Sequence, residues 1–397
     1  MSEWKEYRFT EAATLTNGRA YLQPELQDAG KYRIVRVGNL SGGDKWFYSD
    51  LELSEDKYCH KGDLLYAWAC SFGPYIWNED KTIYHYHIWK IDVNKALTGK
   101  MFLYYYLKYY TPKWMGLTNG SVMMHITKGS LEKQLIRLPD LETQRHIASI
   151  LFSLDDKIAV NRKICRNLEA QAQALFKHWF VDFAPFKNGR FVESELGLIP
   201  EGWRVGRLEE LCSFISRGLS PKYQLGTNEL VLGQTCVRNN IVTLNNAREH
   251  LPKTNCNRYV RKWDILLNST GIGSLGRVGI IYFDDKNVCF DSHLTVVRVE
   301  NDIYRYYVGR NLLSRQNEIE NMAVGSTGQT ELPQKDVLVM PILIPNSDVL
   351  PEFNEIIKNI GNTLYKLIEE NRRLATLRDT LLPKLMSGQI KVNDVKI

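Results

Sequence analysis

The tightest constraint on this chain is that it states one pattern twice, and each statement closes on a segment whose apolar residues repeat every seven positions. Such self-similarity precedes any local motif, because a repeated sequence unit implies a repeated structural unit. A shift of about 206 residues lays one half on the other without a gap: Leu138-Pro139 on Ile344-Pro345, Ile150-Leu151 on Ile356-Ile357, Leu175-Phe176 on Leu381-Leu382. Earlier in each half the offset drifts by a few residues. Lys61–Leu65 meets Lys262–Leu266, His87–Ile91 meets His293–Val297, and Trp4 with Gly18 meets Trp203 with Gly218. The chain reads as two diverged copies of one unit.

Leu151, Ile158, Cys165, Ala172 and Trp179 stand seven apart, and Leu154, Asn161, Leu168 and Leu175 fill the second seam position. The second copy repeats this with Ile357, Leu364, Asn371, Arg378 and Leu385, and with Ile360, Leu367, Leu374 and Leu381. A strict seven-residue repeat stays on one face of a helix only in a left-handed supercoil, so each helix wants a helical partner. If the helices run antiparallel with Asn161 opposite Asn371, the other positions pair too: Leu154 with Arg378, Ile158 with Leu374, Leu168 with Leu364, Leu175 with Ile357. The competing reading puts Asn161 in solvent on two independent core helices. From Leu151 to Trp179 a helix rises roughly 42 Å, a little more than the ~34 Å of one turn of B-form DNA.

Before each helix lies a mixed unit dominated by short strands. Tyr32–Val37, Ile83–Val93, Ile280–Phe283 and Leu294–Val299 alternate or run apolar as strands do, with short helices expected at Met101–Tyr110 and Ile303–Ile319. The fold class is α+β, with domain bounds at 1–140, a helix at 141–181, a linker at 182–202, a second domain at 203–345, a second helix at 346–386 and a tail at 387–397.

Composition narrows the classes. A chain of 397 residues has room for two or three cores. Lys and Arg number 51 against 45 Asp and Glu, a small excess that favours a polyanionic partner without requiring one. No apolar run is long enough to span a membrane and the first residues do not read as a secretory leader, so a cytoplasmic protein is expected. The 7 cysteines form no Cys-x-x-Cys pair and read as reduced and mostly buried. Trp46, Trp77, Trp89 and Trp114 read as core.

Catalytic signatures are missing. Gly271–Gly276 spells Gly-x-Gly-x-x-Gly, but a strand-like segment follows where a dinucleotide site needs a helix, so it reads as a tight turn between strands. No phosphate-loop Gly-Lys-Ser/Thr and no His-Glu-x-x-His occurs, and no Asn/Asp-Pro-Pro-Tyr of the amino-methyltransferases. His85 and His87 alternate along an expected strand. The chain is expected to catalyse nothing by itself and to bind no metal.

The segments Leu138–Leu151 (Leu-Pro-Asp-Leu-Glu-Thr-Gln-Arg-His-Ile-Ala-Ser-Ile-Leu), Leu154–Ile158, Gly197–Trp203 (Gly-Leu-Ile-Pro-Glu-Gly-Trp) and Leu381–Gly388 (Leu-Leu-Pro-Lys-Leu-Met-Ser-Gly) together resemble the DNA specificity subunit of type I restriction and modification systems. One departure is Leu350-Pro351-Glu352-Phe353, where that family usually keeps a Pro-rich turn and Glu-Gln. The resemblance implies two target recognition domains, each reading one half of a split sequence in double-stranded DNA, held apart by the paired helices. It also implies two methyltransferase subunits that carry the S-adenosylmethionine, a motor and nuclease subunit as a further partner, and no cofactor on this chain.

Readout of base edges calls for forked or amide side chains on loops. The candidates are Asn17, Arg19, Trp68, Ser71, Asn119, Ser121, His125 and Lys128 in the first unit, and Arg217, Lys222, Arg238, Asn268, Ser269, Arg277, Thr327 and Gln329 in the second. For the methyltransferases the expected surface is an outward helix face carrying Gln144, Arg145, Phe176, Trp179 and Phe180 in one copy and Leu382, Leu385 and Met386 in the other. Packing of those groups on the chain's own domains is the alternative. A coiled-coil scaffold that never touches DNA, and a nuclease with an unfamiliar site, are the remaining readings of the whole.

Overall fold

Pro139 ends a strand, and Asp140 then accepts from the Thr143 backbone N–H at 2.8 Å and from its hydroxyl at 3.0 Å, so a capped helix begins at once. This central helix runs from Leu141 to Phe180, and the second long helix runs from Leu350 to Met386. It begins directly at the departure from the family pattern, after a 3-10 turn at Ser347–Val349. It stops where Gly388 takes φ +71°, with the Gln389 N–H donating to Lys384 O at 2.9 Å, closing the end as a left-handed cap.

The computed structural model describes residues 4–43, 45–115, 126–252, 258–325 and 330–395. The chain divides into two units, Met1–Ile158 with Arg373–Ile397, and Ala159–Arg372. Each unit thus takes a part of both long helices. Bounds drawn along the sequence, which end one domain where a helix starts, do not coincide with these units.

In the first unit a four-stranded sheet runs Ala13–Asn17, Ile88–Val93, Leu64–Ala67, Gly73–Ile76 in spatial order, antiparallel throughout. A second sheet joins Phe47–Ser49, Tyr32–Val35, Thr82–Tyr84 and Tyr58–Cys59. The helix Lys100–Met115 covers the first sheet. Phe102, Leu103, Tyr106, Ile147, Leu151, Leu382, Leu385 and Met386 share one buried cluster.

The second unit repeats the plan. Phe214–Arg217, Leu294–Arg298, Ile265–Asn268 and Val278–Ile280 stand in the same antiparallel order, extended by Ile241–Val242 and Val237–Arg238. A smaller sheet joins Arg248–Glu249, Leu230–Leu232 and Val288–Phe290. The helix Asp302–Ser314 buries Tyr307, Val308 and Leu312 against Phe176 and Phe180 of the central helix and Phe353 of the C-terminal one. Here the two long helices run antiparallel: Asn161 meets Asn371, while Phe180 meets Phe353 with ring centroids 4.9 Å apart. In the first unit Asp155 meets Arg378 at 2.5 Å.

Several expectations change. The segment between the domains is not a plain linker, because Phe191–Ser194 pairs antiparallel with Gly197–Pro200 as a hairpin. His85 and His87 do not alternate along one strand: His85 follows Thr82–Tyr84 as an isolated bridge residue, and His87 lies with Tyr86 in the two-residue turn that leads into Ile88–Val93. The tail packs Ile390, Val392 and Val395 on the first unit's core. Among the described cysteines, Cys59, Cys165, Cys236 and Cys289 are buried, Cys212 is half-buried and Cys70 is exposed; Cys256 lies outside the described residues. Trp77 and Trp89 are buried as expected.

Candidate nucleic-acid interface

The two units build the same main-chain frame at one corner. In the first, the Gly18 N–H donates to Ile88 O at 3.1 Å, Arg19 N–H to Tyr84 O at 3.0 Å, Trp68 N–H to His87 O at 3.1 Å and His85 N–H to Val35 O at 3.0 Å. In the second, Gly218 donates to Leu294 O at 3.0 Å, Leu219 to Phe290 O at 3.0 Å, Ser269 to His293 O at 2.9 Å and Asp291 to Leu232 O at 2.9 Å. Both corners need glycine for the same reason. A Cβ at Gly18 would stand 2.3 Å from His85 O, and one at Gly218 would stand 2.0 Å from Asp291 O. Cys70 (φ 62°) and Gly271 (φ 103°) turn the chain left-handed at the corresponding place. In the second copy this turn belongs to Gly271–Gly276, which is a turn between strands and not the approach to a helix.

On this common frame the side chains differ. Asn17 is exposed in one copy where Arg217 stands in the other. The Arg217 guanidinium is spent on Glu331 Oε1 at 2.9 Å, Leu332 O at 2.7 Å and Ser292 O at 3.1 Å. Arg19 is spent on Glu25, through bonds of 3.0 and 2.6 Å. Trp68 donates its indole N–H to Tyr86 O at 2.8 Å and stacks on Trp89 at 5.9 Å, whereas its counterpart Ser269 bonds Thr295 Oγ1 at 2.6 Å. His293 Nδ1 meets Thr270 Oγ1 at 2.8 Å, and Gln234 Nε2 meets the same hydroxyl at 2.8 Å. Burial pushes the His85 imidazole down to about 4, and the neighbouring His87 and Arg36 act in the same direction. His87 is likewise lowered, by burial and then by Arg36. Both rings are therefore neutral near neutral pH.

The remaining candidates separate into four groups. Ser71 is half-buried beside the frame; Lys128 is also half-buried, its ammonium on Leu15 O at 2.8 Å. Lys222 and Arg238 are exposed, and Arg277 is half-exposed with one N–H on Gly273 O at 2.7 Å. Asn268 and Ser269 are fully buried and cannot touch a base edge; they support the turn from beneath. Asn119, Ser121, His125, Thr327 and Gln329 lie outside the described residues. The residues that sequence reasoning missed are Tyr86, Gln234, Thr270 and Ser292, although the register that lays His87 on His293 already marked the two turns.

The helix face expected to meet methyltransferases is corrected. Phe176, Phe180, Leu382, Leu385 and Met386 are buried in the chain's own cores, and half-buried Trp179 packs on Phe353 and Phe186. Gln144 is fully buried, accepting from the Thr98 hydroxyl at 2.9 Å and donating to Leu97 O and Pro139 O. Only Arg145 of that set is exposed. Large groups on a helix are covered first by the nearest sheet-and-helix layer of the same chain. Among the described residues no cluster of three or more His, Cys, Asp or Glu side chains suits a metal, and no helix is long and apolar enough to cross a membrane.

Two copies of one main-chain corner bearing different side chains, each tied to paired helices, define a two-part recognition protein. The family described as the type I restriction modification DNA specificity domain matches residues 1–170 and 200–377, and the chain belongs to this family of non-catalytic, target-DNA-binding subunits of type I restriction-modification systems. It is 28% identical over 312 residues to the MjaIX specificity subunit of Methanocaldococcus jannaschii, covering 74% of this chain and 70% of that one. With the HindI specificity subunit of Haemophilus influenzae it shares 22% over 471 residues, 98% and 100% of the two chains. The crystal structure of the type I S subunit from M. genitalium has the same fold, with a TM-score of 0.54 at 18% identity over 96% of each chain.

Proposed function

We propose that each unit reads one half of a split DNA sequence, and that the paired long helices set the separation of the halves and seat two methyltransferase subunits. The observation that carries this reading is the repeated corner. Five main-chain hydrogen bonds recur with matching partners, counting Ile88 N–H to His85 O at 2.9 Å and Leu294 N–H to Asp291 O at 3.1 Å. The residues of the corner include Trp68, His85 and Tyr86 in one copy where the other has Ser269, Asp291 and Ser292. A common frame with exchanged side chains suits two readers of different base sequences. Asn17, Ser71 and Lys128 in the first unit, and Lys222, Arg238 and Arg277 in the second, remain the contact candidates. Arg217 and Arg19, held by Glu331 and Glu25, act by shaping the loops beside them. Phosphate contacts supplied in common with the methyltransferases account for a net charge of only +6. Methyl transfer from S-adenosylmethionine to an adenine in each half, and any cutting by a motor and nuclease subunit, belong to those partners.

Mapping modified adenines across the genome, with and without this chain and with its methyltransferase present, tests the reading. A split motif that vanishes with the chain, its methylated adenines on opposite strands about one turn apart, is the expected result. An unchanged pattern with an active methyltransferase would leave the chain a scaffold.

A further inference from the structure

We propose that the turn His85-Tyr86-His87, together with Trp68, reads the C5-methyl group of a thymine in the half-site taken by the first unit. The inference rests on the split-site reading above and adds the chemistry of one contact. Tyr86 stands at the tip of the turn and is 40% exposed. Its ring lies 3.9 Å from that of His87 and 4.5 Å from that of His85, and Trp68 closes the group at 4.9 Å from His87 and 6.0 Å from Tyr86.

Part of the polar complement of this group is engaged within it. Trp68 gives its indole N–H to Tyr86 O, the Tyr86 main-chain N–H goes to Arg19 O at 3.0 Å, and the Trp68 main-chain N–H goes to His87 O. The His87 N–H meets His85 Nδ1 at 3.4 Å. What is left is mainly ring surface, with the Tyr86 hydroxyl and the other imidazole nitrogens of His85 and His87 at its edges. In the major groove the one apolar feature by which base pairs differ is the thymine methyl. The second unit makes a clear contrast, because the same frame positions carry Ser269, Asp291, Ser292 and His293. There Ser269 and Asp291 are buried and only Ser292 and His293 reach the surface, so the corner carries a single imidazole in place of the four-ring group.

Ser292 also supplies the conservative variant. Since the frame already accommodates serine at this place, Tyr86→Ser removes the ring without disturbing the turn, and Tyr86→Phe removes only the hydroxyl. The complex with its methyltransferase subunits is titrated with duplexes carrying the mapped target, in which each thymine is replaced in turn by uracil, which lacks the methyl. One replacement, in one half-site, is expected to weaken binding about fourfold, the worth of one buried methyl group. That sensitivity should persist in Tyr86→Phe and disappear in Tyr86→Ser, while thymines in the other half-site behave alike in all three proteins. Loss of the sensitivity in Tyr86→Phe would assign the contact to the hydroxyl and overturn the proposal. So would a Tyr86→Ser protein that still tells that thymine from uracil, because the methyl would then be met by another group. Failure of the unaltered complex to prefer its mapped target at all would instead remove the split-site reading beneath it.

Discussion

Asn161 donates its side-chain amide to Asn371 Oδ1 at 3.1 Å and to Glu370 Oε2 at 2.8 Å, placing a polar contact inside the seam of the two long helices. Asn161 is fully buried. A buried amide that meets its partner at one register only makes every slipped register cost an unpaired polar group. A double-mutant cycle with leucine at both positions should give a coupling of about 1 kcal/mol in urea denaturation. Each single change should destabilise more than half the double does. Strictly additive effects would mean that the pair does not sense its partner.

Arg310 is a buried guanidinium anchored at two points, to Glu169 Oε1 on the central helix at 2.5 Å and to the Tyr282 hydroxyl at 2.7 Å. Glu169→Ala leaves that charge without its counter-ion and should cost about 3–5 kcal/mol. Glu169→Leu combined with Arg310→Met should recover most of the loss, since an apolar pair of similar volume avoids the desolvation. Amide exchange along 302–314 is the readout, because that helix carries Arg310. Equal loss of protection in the single and the double variant would rule out a charge-burial origin.

Trp263 holds a φ of 74° where the first copy has Gly62 at 89°, and its ring fills a notch left by Gly361. A Cβ at Gly361 would stand 2.0 Å from Trp263 Cη2. The ring is wedged edge-on between Tyr282 and Tyr306, at 5.2 and 4.7 Å, and has no room to swing aside. Gly361→Ala should therefore destabilise by about 2 kcal/mol despite alanine's better helix propensity. In a Trp263→Ala background the same change should reverse sign and stabilise slightly. Thermal denaturation of the four proteins decides it, and a loss that persists without Trp263 would disprove the notch.

His85 makes the first unit sensitive to acid. Its imidazole sits at about 4 because burial, His87 and Arg36 all oppose the charged form, whereas in the unfolded chain it protonates near ~6.5. Between those values the unfolded state binds a proton that the folded state does not. Stability is therefore complete above about pH 6.5 and falls as the pH drops toward the folded value. The denaturation midpoint should drop between neutral pH and mildly acid pH, and His85→Gln should flatten that slope. A slope unaltered by the substitution would place its origin elsewhere.

How much of this was legible in the sequence follows from the range of each interaction. The seam around Asn161 and Asn371 could be read because a seven-residue period is local and its two copies fix one another's register. The repeated strands were visible for the same reason. By contrast, Phe176 and Phe180 looked like a docking face, because the residues that cover them, Tyr307 and Phe353, are more than a hundred positions away. Gln144 was equally opaque: its partners at Leu97, Thr98 and Gly99 satisfy every polar atom of its amide from a loop that no period announces. Asn268 and Ser269 have the composition of a reading loop and the position of a supporting one. Side-chain type alone does not tell which side of a strand end a residue occupies.

The corner frames are closed by main-chain atoms at Gly18, Arg19, Trp68 and His85, and again at Gly218, Leu219, Ser269 and Asp291. A peptide N–H is the same whatever residue bears it, so exchanging tryptophan for serine or histidine for aspartate leaves the bonds that shape the corner in place. The shape of the corner and the chemistry of its rim therefore rest on separate atoms, and only the two glycines serve the first alone. Substitutions can thus accumulate along the rim residue by residue while the chain continues to fold.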